Sequence, residues 1–476
     1  MTDLHDRFRS LDRIAVPDVW SEVQRRAETL ADTRVGPVAG RLQWRGAQAE
    51  RRPVSLRWLV LVVAAAMVLV ALALALAASH RSSAGPLVFV SNSRVFAVDV
   101  DRGTTRPIFQ EPTTAGNELR ISPDGQHIAF LWVRNPDGYV WVIARADGSG
   151  FRTTGPVSFT SGAAAWAPDG RTFAWVGRDE TRSANSDYLI LADVDARVRR
   201  RIQVPVFGTI QIVWSADSSR VAILMNGTHD SPCSPFGPPG LYLVDVFNGT
   251  VQEVGDQLRV GSLAWSSDGR RIATSIVAGP SGASDSSCDP TAPSKLVSID
   301  AASGTLDVLA EGLPGPATSL TWSRDDGSIE YLLQEADRDT GRDTFALWRT
   351  PLDGGQPRLL TTVVGDTSPV WSPDLTRLAW FSEGSLWVLD LDRRDPRRLV
   401  DGVASRPLFW PKWSLDSSFI VFLRERPGPE PEPGNSESSN FVPEQVSSLW
   451  VVRPDGTDEQ RLVDDTAGLD PESVDW

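Results

Sequence analysis

A short phrase returns seven times along this chain: an aromatic or aliphatic residue, a small residue, then an acidic turn. It reads Ile121-Ser122-Pro123-Asp124-Gly125, Trp166-Ala167-Pro168-Asp169-Gly170, Trp214-Ser215-Ala216-Asp217-Ser218 and Trp265-Ser266-Ser267-Asp268-Gly269. It continues as Trp322-Ser323-Arg324-Asp325-Asp326-Gly327, Trp371-Ser372-Pro373-Asp374 and Trp413-Ser414-Leu415-Asp416. Its aspartates lie 45, 48, 51, 57, 49 and 42 residues apart, a spacing that fits one four-stranded sheet per repeat. The chain is therefore expected to be all-β and to close as a β-propeller.

Within a repeat, proline presets φ at the first turn corner and glycine accepts positive φ after it, so the phrase is first a folding device. In the second repeat the pattern predicts strands over 164–166, 172–176, 188–193 and 200–204. The general form, W-S-P-D-G followed by an apolar strand and then an aromatic-rich one, resembles the repeats of TolB-like propeller proteins. The resemblance covers about residues 87–476 and implies scaffolding or envelope-associated binding.

The two ends are complementary. Residues 87–109 supply three strands without a first, and the chain stops at Glu472-Ser473-Val474-Asp475-Trp476, the opening of an eighth phrase with nothing after it. Pairing that last strand into the first sheet gives eight blades and leaves no open edge at the seam. Seven blades is the alternative, if the repeat with Ile121 or the one with the longest insertion does not complete a sheet.

The apolar stretch 58–78, uncharged from Leu59 to Ser79, is long enough to span a bilayer and too far from the start for a cleaved leader. Arg41, Arg45, Arg51, Arg52 and Arg57 precede it, which predicts a cytoplasmic N-terminus and an extracytoplasmic propeller. The expected organisation is a cytoplasmic segment with short helices and an Arg-rich linker (1–57), a transmembrane helix (58–78), a linker (79–86) and the propeller (87–476). Residues 1–57 hold eleven Arg against eight Asp or Glu, so the total of −14 leaves −17 beyond them. An acidic ectodomain argues against nucleic-acid binding. The segment 1–80 resembles the inner portion of membrane-bound anti-sigma regulators, which implies a possible cytoplasmic protein partner; it lacks the cysteines of their zinc-binding form.

Cys233 and Cys288 fall in the second-to-third-strand loops of consecutive repeats, at positions that bring them side by side, and a disulfide between them is expected in an oxidising compartment. Long loops at that position make one face the expected recognition surface, with Arg182, His229, Asp230, Phe236, Asp285 and Asp289 as candidate contacts for a protein, peptide or glycan. No catalytic, metal or cofactor residues are assigned: G-x-S-x-G is absent, and His127 reads as an edge residue. The pairs Asp99/Asp101, Asp193/Asp195 and Asp390/Asp392 read as turn aspartates, as do Asp124, Asp169, Asp217, Asp268, Asp325, Asp374 and Asp416. Trp166, Trp214, Trp265, Trp322, Trp371, Trp413 and Trp476 read as packing between blades. The sequence thus points to a non-enzymatic, membrane-anchored binding propeller, the alternatives being a transmembrane sensor and, last, a propeller hydrolase or lyase.

Overall fold

The computed structural model describes residues 85–476 apart from 101, 110–117, 135–137, 179–186, 206–208, 226–239, 256–259, 278–292, 338–341, 404–409, 428–444 and 467–468. Residues 1–57, the apolar stretch 58–78, both cysteines and all six candidate loop contacts lie outside the described residues. Eight four-stranded antiparallel sheets form the propeller, so eight blades replace the seven-bladed alternative. The first blade is composite: Leu87–Ser91, Arg94–Asp99 and Thr104–Phe109 are joined by the last strand, Leu469–Asp475, as its innermost member. That strand pairs Val88 with Asp475 and Ser91 with Leu469, and the Ser473 hydroxyl accepts from the Val90 amide at 3.0 Å.

The repeated phrase ends each innermost strand and turns the chain into the second. Its aspartate is a turn residue in every blade that carries the phrase. In the fifth blade the Ser266 hydroxyl donates to Asp268 at 2.7 Å and accepts from the Arg271 amide at 2.9 Å, while Asp268 accepts from the Arg270 amide at 2.9 Å. The same donation recurs from Ser122 to Asp124, Ser215 to Asp217, Ser323 to Asp325, Ser372 to Asp374 and Ser414 to Asp416, all at 2.6–2.7 Å. Where Ala167 replaces the serine, Asp169 takes the Arg171 and Thr172 amides instead. The Asp-x-Asp pairs are turns as well: Asp193 accepts from the Asp195 and Arg197 amides, Asp390 from Asp392, and Asp99 from Arg102.

The tryptophan of the phrase fastens one blade to the one before it. Each indole N–H donates to a backbone carbonyl on the innermost strand of the preceding blade: Trp166 to Arg120 (3.2 Å), Trp214 to Ala165 (3.2 Å), Trp265 to Val213 (3.0 Å), Trp322 to Ala264 (2.9 Å), Trp371 to Ser319 (2.7 Å) and Trp413 to Val370 (3.3 Å). The seam departs from this pattern. Blade 2 has Ile121 in place of tryptophan, and there the Asp475 carboxylate of blade 1 accepts from the Ile121 amide at 2.9 Å. A side chain from the preceding blade thus makes the link that an indole makes elsewhere.

Turn-to-turn contacts run around the same face. Ser218, Asp326 and Ser417 occupy the left-handed position of their turns, at φ 59, 52 and 60. Non-glycine residues there are strained. Each uses its side chain on the preceding blade's turn: Ser218 accepts from the Asp169 amide, Asp326 from the Ser267 amide, and Ser417 from the Asp374 amide, at 3.0–3.1 Å. At Gly170, where glycine is kept, the preceding turn lies close: a Cβ there would be 2.7 Å from the Asp124 carboxyl carbon.

Two measurements check this account. Deleting Leu469–Trp476 removes the innermost strand of blade 1 together with the Asp475 link, so the truncated chain should melt well below the intact one. Ser266→Ala should cost about 2 kcal/mol, because it strips the Arg271 amide and Asp268 of a buried partner. Asp268 is held below the usual carboxylate range by the Ser266 hydroxyl and then by the Arg270 amide. Its stabilising contribution is therefore present above the unfolded value of about 3.9 and fades as pH falls below it. Acid titration monitored by circular dichroism should show unfolding at higher pH in Ser266→Ala than in the wild type.

Candidate functional site

Strand direction sorts the connections by face. Innermost strands run toward the Asp turns, so the first-to-second and third-to-fourth connections share that face. The second-to-third connections, and those leading into the next blade, share the opposite one. The chain itself joins the first blade at Gly85-Pro86-Leu87, on the Asp-turn face.

On the loop face the innermost strands lose their regular pairing at one common level. In blades 3 to 6 the ladder shifts register between Phe159 and Ala164, Thr209 and Gln211, Val260 and Leu263, and Thr318 and Thr321. In blade 1 it shifts between Val88 and Val90. The innermost strands of blades 2, 7 and 8 are short, Leu119–Ile121, Val370–Trp371 and Lys412–Trp413, and stop at that level. Bulged or interrupted strands free backbone groups and re-aim side chains, and such irregularities gather at rims and binding sites.

The residue three positions before the phrase's aromatic sits at this level in every blade: Glu118, Ala163, Gln211, Ser262, Ser319, Ser368, Trp410 and Ser473. These residues mark the loop-face end of the regular pairing, the rim of the innermost strands, and two of their polar atoms, Glu118 Oε2 and Ser368 Oγ, are buried without a hydrogen-bond partner. Burial pushes the Glu118 carboxyl up from its ordinary 4.5 to about 7, against the opposing pull of the Arg120 guanidinium. Trp410 stands 42 % exposed on the same rim. Ser319 has φ 47 and gives its carbonyl to Trp371.

A second ring lies one residue before the aromatic and is asymmetric. Blades 8, 1 and 2 place Lys412, Asp475 and Arg120 there, whereas the other five blades have Ala165, Val213, Ala264, Thr321 and Val370. Lys412, one of two lysines in the chain, donates through Nζ to the Val474 carbonyl of the next blade. One arc around the seam is thus charged and the rest is small and nearly apolar.

The Asp-turn face has one cleft of note among the described residues. About 310 Å³ in volume, it opens between blades 1 and 2 and is lined by Pro86, Arg106, Gln126, Arg145, Ala146 and Asp147. Arg106 donates to the Asp147 carbonyl at 2.6 Å. Asp147 itself is held below the carboxylate range, first by the Ser149 hydroxyl and amide. Nearby, His127 is the first residue of the strand His127–Arg134, opposite Arg145 of the third strand and one residue beyond the register shared with the innermost strand. Its Nδ1 is buried without a partner, and burial lowers its pKa, which keeps the ring neutral.

No family model matches the chain, and no curated protein does. Solved structures with the same architecture do. An oligogalacturonate lyase in complex with manganese is 14 % identical at TM-score 0.47, covering 71 % of this chain and 93 % of its own. TolB from Acinetobacter baumannii is 13 % identical at TM-score 0.34, covering 74 % and 84 %. A eukaryotic initiation factor is 11 % identical at TM-score 0.47, covering 82 % and 99 %. TolB proteins are thus among the structural neighbours, as the repeats suggested. The lyase overturns the expectation that the chain is no enzyme. That expectation leaned on the absence of a hydrolase domain beside the propeller. The propeller fold is shared by proteins of different activity and decides none of them.

Glu118 provides a pH-dependent test. A carboxyl whose folded pKa exceeds its unfolded one weakens folding as pH rises from the lower value to the higher. For Glu118 the window runs from 4.5 to about 7, and the full penalty above it is about 3 kcal/mol. Glu118→Gln should therefore raise the melting temperature at pH 8 and change it little at pH 4.5. Equal shifts at both pH values would contradict the burial of this carboxyl.

Proposed function

We propose that this chain is a membrane-anchored, extracytoplasmic binding propeller whose site is the rim of the channel mouth and the loops above it. Its partner is a protein, peptide or glycan. One observation carries the reading: the two faces are built differently. The Asp-turn face is laced by hydrogen bonds within and between turns, and its repeated aspartates are used up in holding the fold. At the rim the ladder shifts register in blades 1, 3, 4, 5 and 6 and the innermost strands of blades 2, 7 and 8 are short, and Glu118 and Ser368 keep polar atoms without partners. Buried polar groups left unsatisfied cost stability, and sites that bind a ligand are where such a cost is met. The uncharged stretch 59–79 and the arginines before it support the anchor.

A second reading is favoured by Glu118: that the rim also performs proton transfer on what it binds. A carboxyl titrating near pH 7 in a partly dry site is suited to general acid–base work. The two readings separate in Glu118→Gln. Binding without turnover in the wild type supports the first; turnover in the wild type that the variant loses while still binding supports the second.

Hydrogen exchange on the full chain with a captured ligand tests the location. Protection should gather at the rim, around Glu118, Ser368 and Trp410, and in the loops above it. Protection confined to the Asp turns would refute the assignment.

A further inference from the structure

Each third strand reaches the Asp-turn face at its last residue, and in blades 1, 3, 4, 5 and 7 that residue is an aspartate: Asp99, Asp193, Asp245, Asp300 and Asp390. Its carboxylate accepts from amides of the turn that follows, as Asp245 does from Phe247 and Asn248, and Asp300 from Ala302 and Ser303. Blade 2 departs from this pattern. Its third strand, Gly138–Arg145, ends on an arginine, and the turn is held instead by Asp147, which accepts from the Ser149 amide at 2.8 Å and hydroxyl at 2.6 Å. No other third strand ends on a cation.

The residue across the ladder differs as well. Arg220 faces Asp245, Arg271 faces Asp300 and Arg377 faces Asp390, so opposite charges meet at this level in blades 4, 5 and 7. In blade 2 His127 faces Arg145, and burial keeps that imidazole neutral. Arg145 is exposed, and among the described residues its guanidinium has no hydrogen-bond or ion-pair partner. Residues that break a repeat without taking up its structural work are where function is to be sought.

Arg145 lines the cleft between blades 1 and 2 together with Arg106, whose guanidinium is fixed by the Asp147 carbonyl. The walls are set by contacts already made. The Ala146 amide donates to the Gln126 carbonyl at 2.8 Å, and a Cβ on Gly148 would lie 2.8 Å from Ile108 Cβ, so the turn of blade 2 rests on the outer strand of blade 1. We propose that this cleft is a binding site for a small organic carboxylate, independent of the rim. Guanidinium forks match planar carboxylates bidentately, and Gln126 adds an amide at the wall. Two guanidinia against the Asp147 carboxylate leave one positive charge, which a carboxylate balances and a doubly charged phosphate exceeds. A volume of about 310 Å³ lies at the small end of ligand pockets.

The test uses the full chain in detergent micelles, with butyrate as the probe at constant ionic strength. Butyrate should slow phenylglyoxal modification of Arg106 and Arg145, followed by peptide mass mapping, and leave Arg171 in the Asp turn of blade 3 unaffected. Butyramide, which has the same shape without the charge, should protect none of them. In calorimetry Arg145→Gln should weaken butyrate binding about tenfold or more, whereas Arg171→Gln should leave it unchanged. Failure of butyrate to protect Arg145, equal protection of Arg171, or undiminished binding by Arg145→Gln would each overturn the proposal. Stronger protection by inorganic phosphate than by butyrate would overturn the carboxylate assignment.

Discussion

The interaction on which the rest depends is the hydrogen bond from a tryptophan indole to a backbone carbonyl one blade back. A propeller has few covalent or ladder connections between sheets, so its blades are held by packing and by whatever polar links cross the gaps. Near the axis the innermost strands are short and their ring is narrow. Tryptophan suits the place because one side chain supplies a large apolar surface and a single donor at its far edge. The carbonyl it reaches belongs, in five of the six bonds, to the residue just before the preceding blade's own aromatic. Small side chains at most of those positions leave room for the ring. The exceptions gather at the seam, where Lys412 and Asp475 bond the next strand's backbone directly and Ile121 has no indole to donate.

This device divides the molecule's labour between its two faces. Below the indoles, serine, aspartate and a left-handed residue satisfy the turn locally and then reach the neighbouring turn. A surface so occupied has little to offer a ligand. Above them, bulges and short strands interrupt the regular pairing, and the rim gathers an exposed tryptophan, several hydroxyls and a carboxyl shifted toward neutrality. The cleft beside Arg106 and Arg145 qualifies the division, since it opens on the Asp-turn side. Its lining comes from the seam between blades 1 and 2, where the repeat is least regular.

Much of the fold was legible because a seven-fold phrase repeats the same local physics. The blade count, the composite first blade and the turn role of the aspartates all follow from it. The strands of the second repeat were placed well at the turn side, where Trp166 and Thr172 bound the motif, and less well at the far end. There the innermost strand begins at Ser158 rather than near 164, because bulges permit extension without alternation. The rim was missed for the same reason. Glu118 stands in an unremarkable stretch, and its burial and its place three residues before Ile121 acquire meaning only once eight strands converge. The dismissal of catalysis rested on a missing companion fold, an insufficient ground because a fold does not decide activity.

The most direct test of the division between faces is a substitution scan read out twice, as melting temperature and as affinity for a captured partner. The account predicts that changes at the motif serines, aspartates and tryptophans lower melting temperature with affinity preserved in whatever remains folded. Changes at Gln211, Ser368 and Trp410 should lower affinity with melting temperature nearly unchanged. Rim substitutions that leave affinity intact, together with Asp-turn substitutions that abolish it in a folded chain, would contradict the account.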